Sequence, residues 1–294
     1  MNPIILFDNF FEGYKRSYSW KTKFAIAKDC GFDGFEFVMM DFEKDWANIE
    51  PLLEKHAFTH LGFHYSTQAV IDAQAENIDS EIALLERRIH KIAQIGGNTY
   101  MTLSLSGTDE LGGETIAERG SAKAEERHWE RAAQIIEAVD RAAAQNQVKV
   151  YLYPHIDWIC DTPQSLSKIL SDADAQAVAA SFCCHHWYAN DNSCTLEESL
   201  ELPKMSPLNY AVMTNAKVSP GWFSAVQIDQ GEIDIAGILG YLWSNGFKGP
   251  IASQGAGIPG DPYLACAAVP RYIRSLWQRF HDNPSLNPAS QSSH

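Results

Sequence analysis

Apolar residues along this chain fall into two rhythms that take turns. Short runs rich in β-branched and aromatic residues, of the kind that form strands buried on both faces, occur at 3–8 (PIILFD), 33–38 (DGFEFV), 59–66 (THLGFHYS), 99–107 (TYMTLSLSG), 148–155 (VKVYLYPH), 177–184 (AVAASFCC), 208–214 (LNYAVMT) and 249–255 (GPIASQG). Between them, apolar residues recur at the three- and four-residue spacing of a helix. Trp20, Phe24, Ala25 and Ala27 make the first stripe, which Gly31 closes as a C-cap, and a second helix covers about 43–56. In the third, Ile82, Leu85, Ile89, Ile92 and Ala93 form the stripe, Asp79 or Ser80 caps the start, and Gly96-Gly97 ends it. A long helix from about 122 to 145 buries Trp129, Ala132, Ala133, Ile136, Val139 and Ala143. Thr162-Pro163 starts a helix ending near Asp172, a short one spans about 195–202, Asp234 caps the next, and the last covers about 261–281. Two stretches break the rhythm: TDELGGETIAERGS is a long, Gly-rich loop of the kind that covers a site, and FSAVQIDQGEID reads as a short extended excursion.

Strands that alternate with helices, without a domain-sized linker, run parallel with helical crossovers. The expected fold is α/β: a single-domain (β/α)8 TIM barrel over residues 1–281, then a polar, proline-punctuated tail (282–294) expected to be disordered. A doubly wound open sheet is the alternative, but the first strand is not followed by the GxGxxG turn of a dinucleotide site. In a barrel, the C-terminal ends of the strands form the rim that carries the chemistry. The centre of the pattern is 148–187, where two strand runs end in Tyr153, Pro154, His155 and in Cys183, Cys184, His185, His186.

Charge narrows the choice of ligand. A formal net charge of −14 repels polyanions at long range, so neither nucleic acid nor an anionic membrane surface is an expected partner, while sugars, small acids held by local donors and protein partners remain open. No apolar run approaches the ~20 residues needed to cross a bilayer. The N-terminus lacks the basic segment of a secretory signal and reaches an acid at Asp8, and the cysteines form no CxxC pair, so a reduced, cytoplasmic setting is expected.

The polar residues at the expected strand tips are Glu36, His64, Tyr153, His155, Cys183, His185, His186 and Gln254. Period-two alternation places Tyr151, Tyr153 and His155 on one face, and Cys183 with His185 on the face opposite Cys184 and His186. Glu36 and His64 are the base candidates for removing a proton next to a carbonyl. His155, Tyr153 and His186 are acids or electrophiles, and Cys183, His185 and Gln254 are substrate contacts. Each has a plainer alternative: Glu36 as an inward carboxylate satisfied by neighbours, His64 as a hydrogen-bonded core histidine, Cys183 as a small buried hydrophobe. Phe10, Phe11, Trp158, Trp187, Tyr188, Trp222 and Phe223 follow strands, where aromatic walls hold sugar rings. Trp187 and Trp222 are assigned to the substrate, and a homo-oligomer contact is the alternative use of such residues.

Three stretches carry a resemblance to a known family. Residues 27–38 (AKDCGFDGFEFV) are similar to its strand-two phrase, residues 226–254 (VQIDQGEIDIAGILGYLWSNGFKGPIASQ) to its closing segment, and YLYPH and FCCHH to its strand-five and strand-six tips. The family is the xylose isomerase-like barrel superfamily of sugar phosphate isomerases and epimerases, which also includes endonuclease IV. The resemblance implies one divalent metal, held by a Glu ending strand five, an Asp and a His three residues later ending strand six, a His ending strand seven, and a Glu ending strand eight. On this chain the strand-five Glu falls at Tyr153, the strand-six Asp at Cys183 with its His at His186, and the strand-eight Glu at Gln254; residues 204–222 contain no His, Asp or Glu. With every carboxylate replaced, the family's divalent site is expected to be absent, and no cofactor is expected.

The expected protein is therefore a sugar isomerase- or epimerase-like enzyme of carbohydrate metabolism, with a small sugar-like substrate and proton transfer independent of that metal. A lyase or dehydratase needs the same acid and base. Three other readings stand beside it: a softer metal, Zn²⁺ or Cu, held by Cys183 with His155, His185 or His186; Cys183 as a thiolate nucleophile; and a non-catalytic barrel keeping a sugar-like pocket for sensing or for a partner subunit. DNA repair is disfavoured by the charge and the missing zinc ligands.

Overall fold

The computed structural model describes residues 1–11, 18–115, 118–190, 194–219 and 222–291. In chain order the elements are β1 (Ile4–Phe7), α1 (Trp20–Asp29), β2 (Gly34–Phe37), α2 (Phe42–His56), β3 (His60–Thr67), α3 (Ile78–Ile95), β4 (Asn98–Leu105), α4 (Glu126–Asn146), β5 (Lys149–Leu152), α5 (Pro163–Asp172), β6 (Val178–Ala180), β7 (Phe182–Cys183), α6 (Cys184–Ala189), α7 (Leu196–Glu201), β8 (Ala211–Val212), β9 (Asn215–Ser219), β10 (Trp222–Val226), α8 (Ile235–Ser244), β11 (Ile251–Ser253) and α9 (Pro262–Asp282). Every strand and helix read from the apolar rhythm has its counterpart. The extended excursion is the second strand of a hairpin, β9 with β10. No helix among the described residues is long and apolar enough to cross a membrane.

The chain divides into two compact units. The first comprises residues 1–60, 211–219 and 223–294. Here β1 pairs in parallel with β2 on one side, Phe7 level with Glu36, and with β11 on the other, Leu6 level with Ser253; β11 continues to β8. All four residues of β1 are buried, as a strand covered on both faces requires. Phe24 of α1 sits in a cluster of rings, 4.7 Å from Phe35 and 5.3 Å from Phe58. Each such buried aromatic contributes roughly 1.5–3 kcal/mol. Asp8, directly after β1, is fully buried and accepts hydrogen bonds from the backbone N–H groups of Val38 and Met39, at 2.8 and 3.0 Å, and from Lys23. It ties the end of β1 to the end of β2. In the segment after α9, residues 284–291 include two short 3-10 turns, and Asn287 is fully buried, donating to the Gly240 carbonyl at 3.0 Å and to Ser244 Oγ at 2.8 Å. A single buried amide between polar neighbours holds the segment down, and composition alone does not reveal such an anchor.

The second unit comprises residues 61–210 and 220–222. Its strands lie in the order β6, β5, β4, β3, with parallel registers that set Thr102 level with Tyr151 and Leu152 level with Ala180. Pro154 ends the extended run after Tyr153, whose N–H still reaches the Leu103 carbonyl at 2.8 Å. His155 therefore sits in a loop, outside the strand the alternation assigned it to. The sixth strand is interrupted at Ser181, whose hydroxyl donates to the Leu152 carbonyl at 2.7 Å.

The Gly-rich loop after β4 is anchored by its far end. Gly120 has φ +56°, and an added Cβ would lie 2.1 Å from Asp161 Oδ2 and 2.6 Å from the Trp158 carbonyl oxygen. Ser121 N–H donates to Asp161 Oδ2 at 3.2 Å, and Arg119 pairs with Asp157 at 3.3 Å. Burial lifts the Asp161 carboxyl to about 6, against the hydrogen bonds from Ser121 and Ser165 that lower it. Gly120→Ala is expected to destabilise the protein by about 3 kcal/mol, since it adds left-handed strain to a clash with fixed backbone. Chemical denaturation checks this, and a change below about 1 kcal/mol would mean that the loop is not pinned here.

Candidate active site

Six of the residues singled out in the sequence belong to the second unit and come together there: His64, Tyr153, His155, Cys183, His185 and His186. His64 lies on β3, its Nδ1 2.9 Å from Thr102 Oγ1 and its Nε2 3.1 Å from Ser104 Oγ. Thr102 and Ser104 alternate on β4 and so share one face, both fully buried. The sequence reading passed over them, although two hydroxyls two residues apart in an apolar strand were the available signal. Tyr153 stands between histidines, its ring edge-on to His64 at 5.2 Å and to His186 at 6.0 Å, with its hydroxyl 3.3 Å from Cys183 Sγ.

The strand-parity expectation for Cys183 to His186 is overturned. The strand ends at Cys183 and the chain turns at once into α6, so the two histidines follow a helical path instead of alternating across a sheet. Cys183 Sγ lies 3.4 Å from His185 Nδ1 and 3.6 Å from its Nε2, and the His185 and His186 ring centroids are 4.1 Å apart. One donor atom from each of Cys183, His185 and His186 falls within 4.8 Å of the others.

Burial divides the cluster. Tyr153, Cys183, His185 and His186 are buried, whereas His64 and His155 are partly exposed. His155 stacks against Trp158 with centroids 3.9 Å apart and an interplanar angle of 18°, and its other neighbour is His186 at 4.0 Å. Its Nδ1 lies 2.6 Å from the Ile156 carbonyl oxygen. A carbonyl only accepts, so Nδ1 carries the hydrogen and Nε2 the lone pair.

Electrostatically the cluster is neutral. Burial lowers His155 to about 4, although the Ile156 carbonyl and Asp157 pull the other way. Burial, then the charge that His155 would carry, lowers His64 and His185 each to about 3, and the same two causes, with His185 added, drive His186 well below the usual imidazole range. Burial pushes the Cys183 thiol upward, opposed by the Tyr153 hydroxyl and by the backbone N–H groups of His186 and His185. At neutral pH these positions therefore present uncharged imidazoles, a phenol and a thiol.

Glu36 and Gln254 belong to the first unit. Glu36 is fully buried on β2. Gln254, partly exposed, accepts through Oε1 from Asn9 Nδ2 at 2.8 Å, and its backbone N–H donates to Thr214 Oγ1 at 3.1 Å. Asn9 Oδ1 in turn accepts from the Gly255 N–H at 3.1 Å. No pattern in the sequence pointed to Asn9 or Asp8. Of the aromatic residues, Phe10 and Phe11 are buried. Trp187 is partly exposed and packs on Phe182 at 5.6 Å, and Trp158 stacks on His155, a candidate catalytic group. Trp222 opens β10, and its side chain lies outside the described residues.

Parallel strands joined by helices, with polar side chains gathered after the strand ends, define an α/β protein of the TIM-barrel type. The chain belongs to the xylose isomerase-like TIM barrel family, whose model matches residues 24–255. Among solved structures it is similar to 3-keto-D-glucoside 4-epimerase from E. coli, with 15% identity and a TM-score of 0.70 over 94% of this chain and 100% of that one. An L-ribulose 3-epimerase gives 12% identity and a TM-score of 0.72 over 100% of this chain and 99% of that one. A D-allulose 3-epimerase from Methylomonas sp., in complex with D-allulose, gives 14% and 0.68 over 93% and 96%. No curated protein matches the chain in sequence.

The divalent ion implied by the family resemblance does not fit the donors present. A hard cation draws its affinity from anionic oxygens. The position that corresponds to its strand-five carboxylate holds a phenol, the strand-six position holds a thiol that burial keeps protonated, and the strand-eight position holds an amide whose oxygen already accepts from Asn9.

Proposed function

We propose that this protein is a sugar isomerase- or epimerase-like enzyme that moves a proton next to a carbonyl of a small polyhydroxylated substrate, with His155 as the base and without a carboxylate-held divalent cation. The single observation that carries the reading is His155 itself. Its tautomer is set by the Ile156 carbonyl, its basic Nε2 is uncharged at neutral pH, the residue is partly exposed, and Trp158 lies flat against it. An aromatic face beside a base is what an apolar sugar face and a neighbouring C–H require. In the step, Nε2 takes the proton, the C–H electron pair moves toward the carbonyl oxygen, and return of the proton to the other face or the neighbouring carbon gives epimer or isomer. His64 is the second accessible imidazole, and the Tyr153 hydroxyl is the neutral donor suited to a developing oxyanion. The sugar epimerases named among the structural relatives support the substrate class.

The test is incorporation of solvent deuterium into a panel of keto-sugars by chelator-treated protein, with mass and product analysis. Deuterium next to the carbonyl, without loss of water from the sugar, is the expected result. Loss of water would make the protein a dehydratase. Tight binding of a sugar without any exchange would favour the non-catalytic barrel.

A further inference from the structure

The donors that exclude a hard cation suit a soft one. Cys183, His185 and His186 are buried side by side at the junction of β7 and α6, and one donor atom from each falls within 4.8 Å of the other two. In a tetrahedral zinc site, Zn–S of about 2.3 Å and Zn–N of about 2.0–2.1 Å put sulfur and imidazole nitrogen roughly 3.6 Å apart. The Cys183 sulfur stands 3.4 and 3.6 Å from the two ring nitrogens of His185, the separation such an edge requires, and rotation of the His185 and His186 rings would aim one lone pair of each at a shared ion.

We propose that Cys183, His185 and His186 form a binding site for Zn²⁺ or an equally soft divalent ion, with a fourth position open to the Tyr153 hydroxyl or water. Three protein ligands and an open position are the pattern of a catalytic rather than a structural zinc site. The S–H bond of Cys183 breaks on binding, the sulfur electron pair forms the S–Zn bond, and one proton leaves to solvent. Affinity therefore falls about tenfold for each pH unit of acidification. Thiolate and imidazole select Zn²⁺ over Mg²⁺ and Mn²⁺, so the ion class differs from the one the family resemblance implies. The proposal goes beyond the proton-transfer reading and does not depend on it, because its three defining ligands, Cys183, His185 and His186, take no part in that proton transfer and water can fill the fourth position in place of Tyr153.

The experiment uses the full-length chain without an affinity tag, stripped with chelator and titrated with Zn²⁺ against a chromophoric competitor, then with Co²⁺. Expected are one Zn²⁺ per chain, release of one proton, and with Co²⁺ a thiolate-to-metal charge-transfer band in the near ultraviolet. Cys183→Ser should remove the band and weaken Zn²⁺ binding at least 100-fold, whereas Cys160→Ser, which changes a buried cysteine outside the cluster, should alter neither; circular dichroism establishes that both variants fold. If Cys183→Ser does not fold, His186→Gln serves in its place, with the same loss of Zn²⁺ affinity. Zn²⁺ binding unaffected by these changes, a preference for Mg²⁺ or Mn²⁺, or no stoichiometric binding overturns the proposal. A sugar-exchange activity that fails to appear leaves these spectra unaffected, so the two readings stand or fall separately.

Discussion

His155→Ala lowers the rate of deuterium exchange into the responsive keto-sugar by about 10²- to 10⁴-fold, the range for removing a positioned general base. The expectation rests on three features that coincide at this residue: partial exposure, a tautomer set by Ile156, and the Trp158 face alongside. Because burial has already lowered its pKa to about 4, the base stays deprotonated under mildly acidic conditions. The exchange rate should thus remain level between about pH 8 and pH 5.5, where an unperturbed imidazole base would lose activity below about 6.5. His155→Gln keeps the polarity but supplies no basic nitrogen, and it should be as slow as the alanine variant. A His155→Ala enzyme within about threefold of wild type, or a wild-type profile breaking at the ordinary imidazole pKa, removes His155 from the mechanism. Trp158→Ala should raise KM more than it lowers kcat, because a stacking wall binds ground state and transition state alike.

The second large effect is acid lability of the metal-free fold. Folding depresses His64 and His185 to about 3 and His155 to about 4, and His186 further in the same direction. A depressed imidazole contributes stability that is complete above the unfolded pKa near 6.5. That contribution is lost as pH falls toward the folded value, because only the unfolded chain takes up the proton. Asp161, raised to about 6, and Asp8, also raised, act in the opposite sense: the native state holds their protons between the folded values and about 3.8, which favours folding on acidification. Four imidazoles against Asp161, with Asp8 acting in the same sense as Asp161, leave a net uptake of about two to three protons on unfolding. The stability should then fall by about 3 kcal/mol per pH unit between about pH 5.5 and pH 4.5, at about 1.4 kcal/mol per proton. Urea midpoints measured in the presence of chelator provide the slope. Stability that is flat or rises as pH drops from about 6.5 to 5 would show that the imidazoles are not buried as neutral groups.

Much of the candidate cluster was legible in the chain, and the exceptions follow one physical rule. Tyr153, His155, Cys183, His185 and His186 were recognisable because each follows an apolar run that stops at a proline or a helix start, a local event. The relation among them was misread, because period-two alternation holds only while the strand continues, and it ends at Cys183. Thr102 and Ser104, the partners of His64, sit 38 and 40 residues away along the chain, and Asp161 reaches back across 40 residues to Ser121. Nothing local distinguishes such hydroxyls and carboxylates from exposed ones.

The amino-acid order alone determined the succession of strands and helices, the parallel α/β class and the loss of carboxylates from the positions that the family resemblance assigns to a metal, since these depend on local periodicity and residue chemistry. Tertiary packing decided which polar groups are hidden and which are reachable. It left His155 and His64 accessible, enclosed the Cys183, His185 and His186 trio, and drew their ionisation toward the neutral forms. Desolvation and hydrogen-bond geometry arise from neighbours distant in sequence, and it is these that convert a row of ordinary histidines into an uncharged and chemically divided cluster.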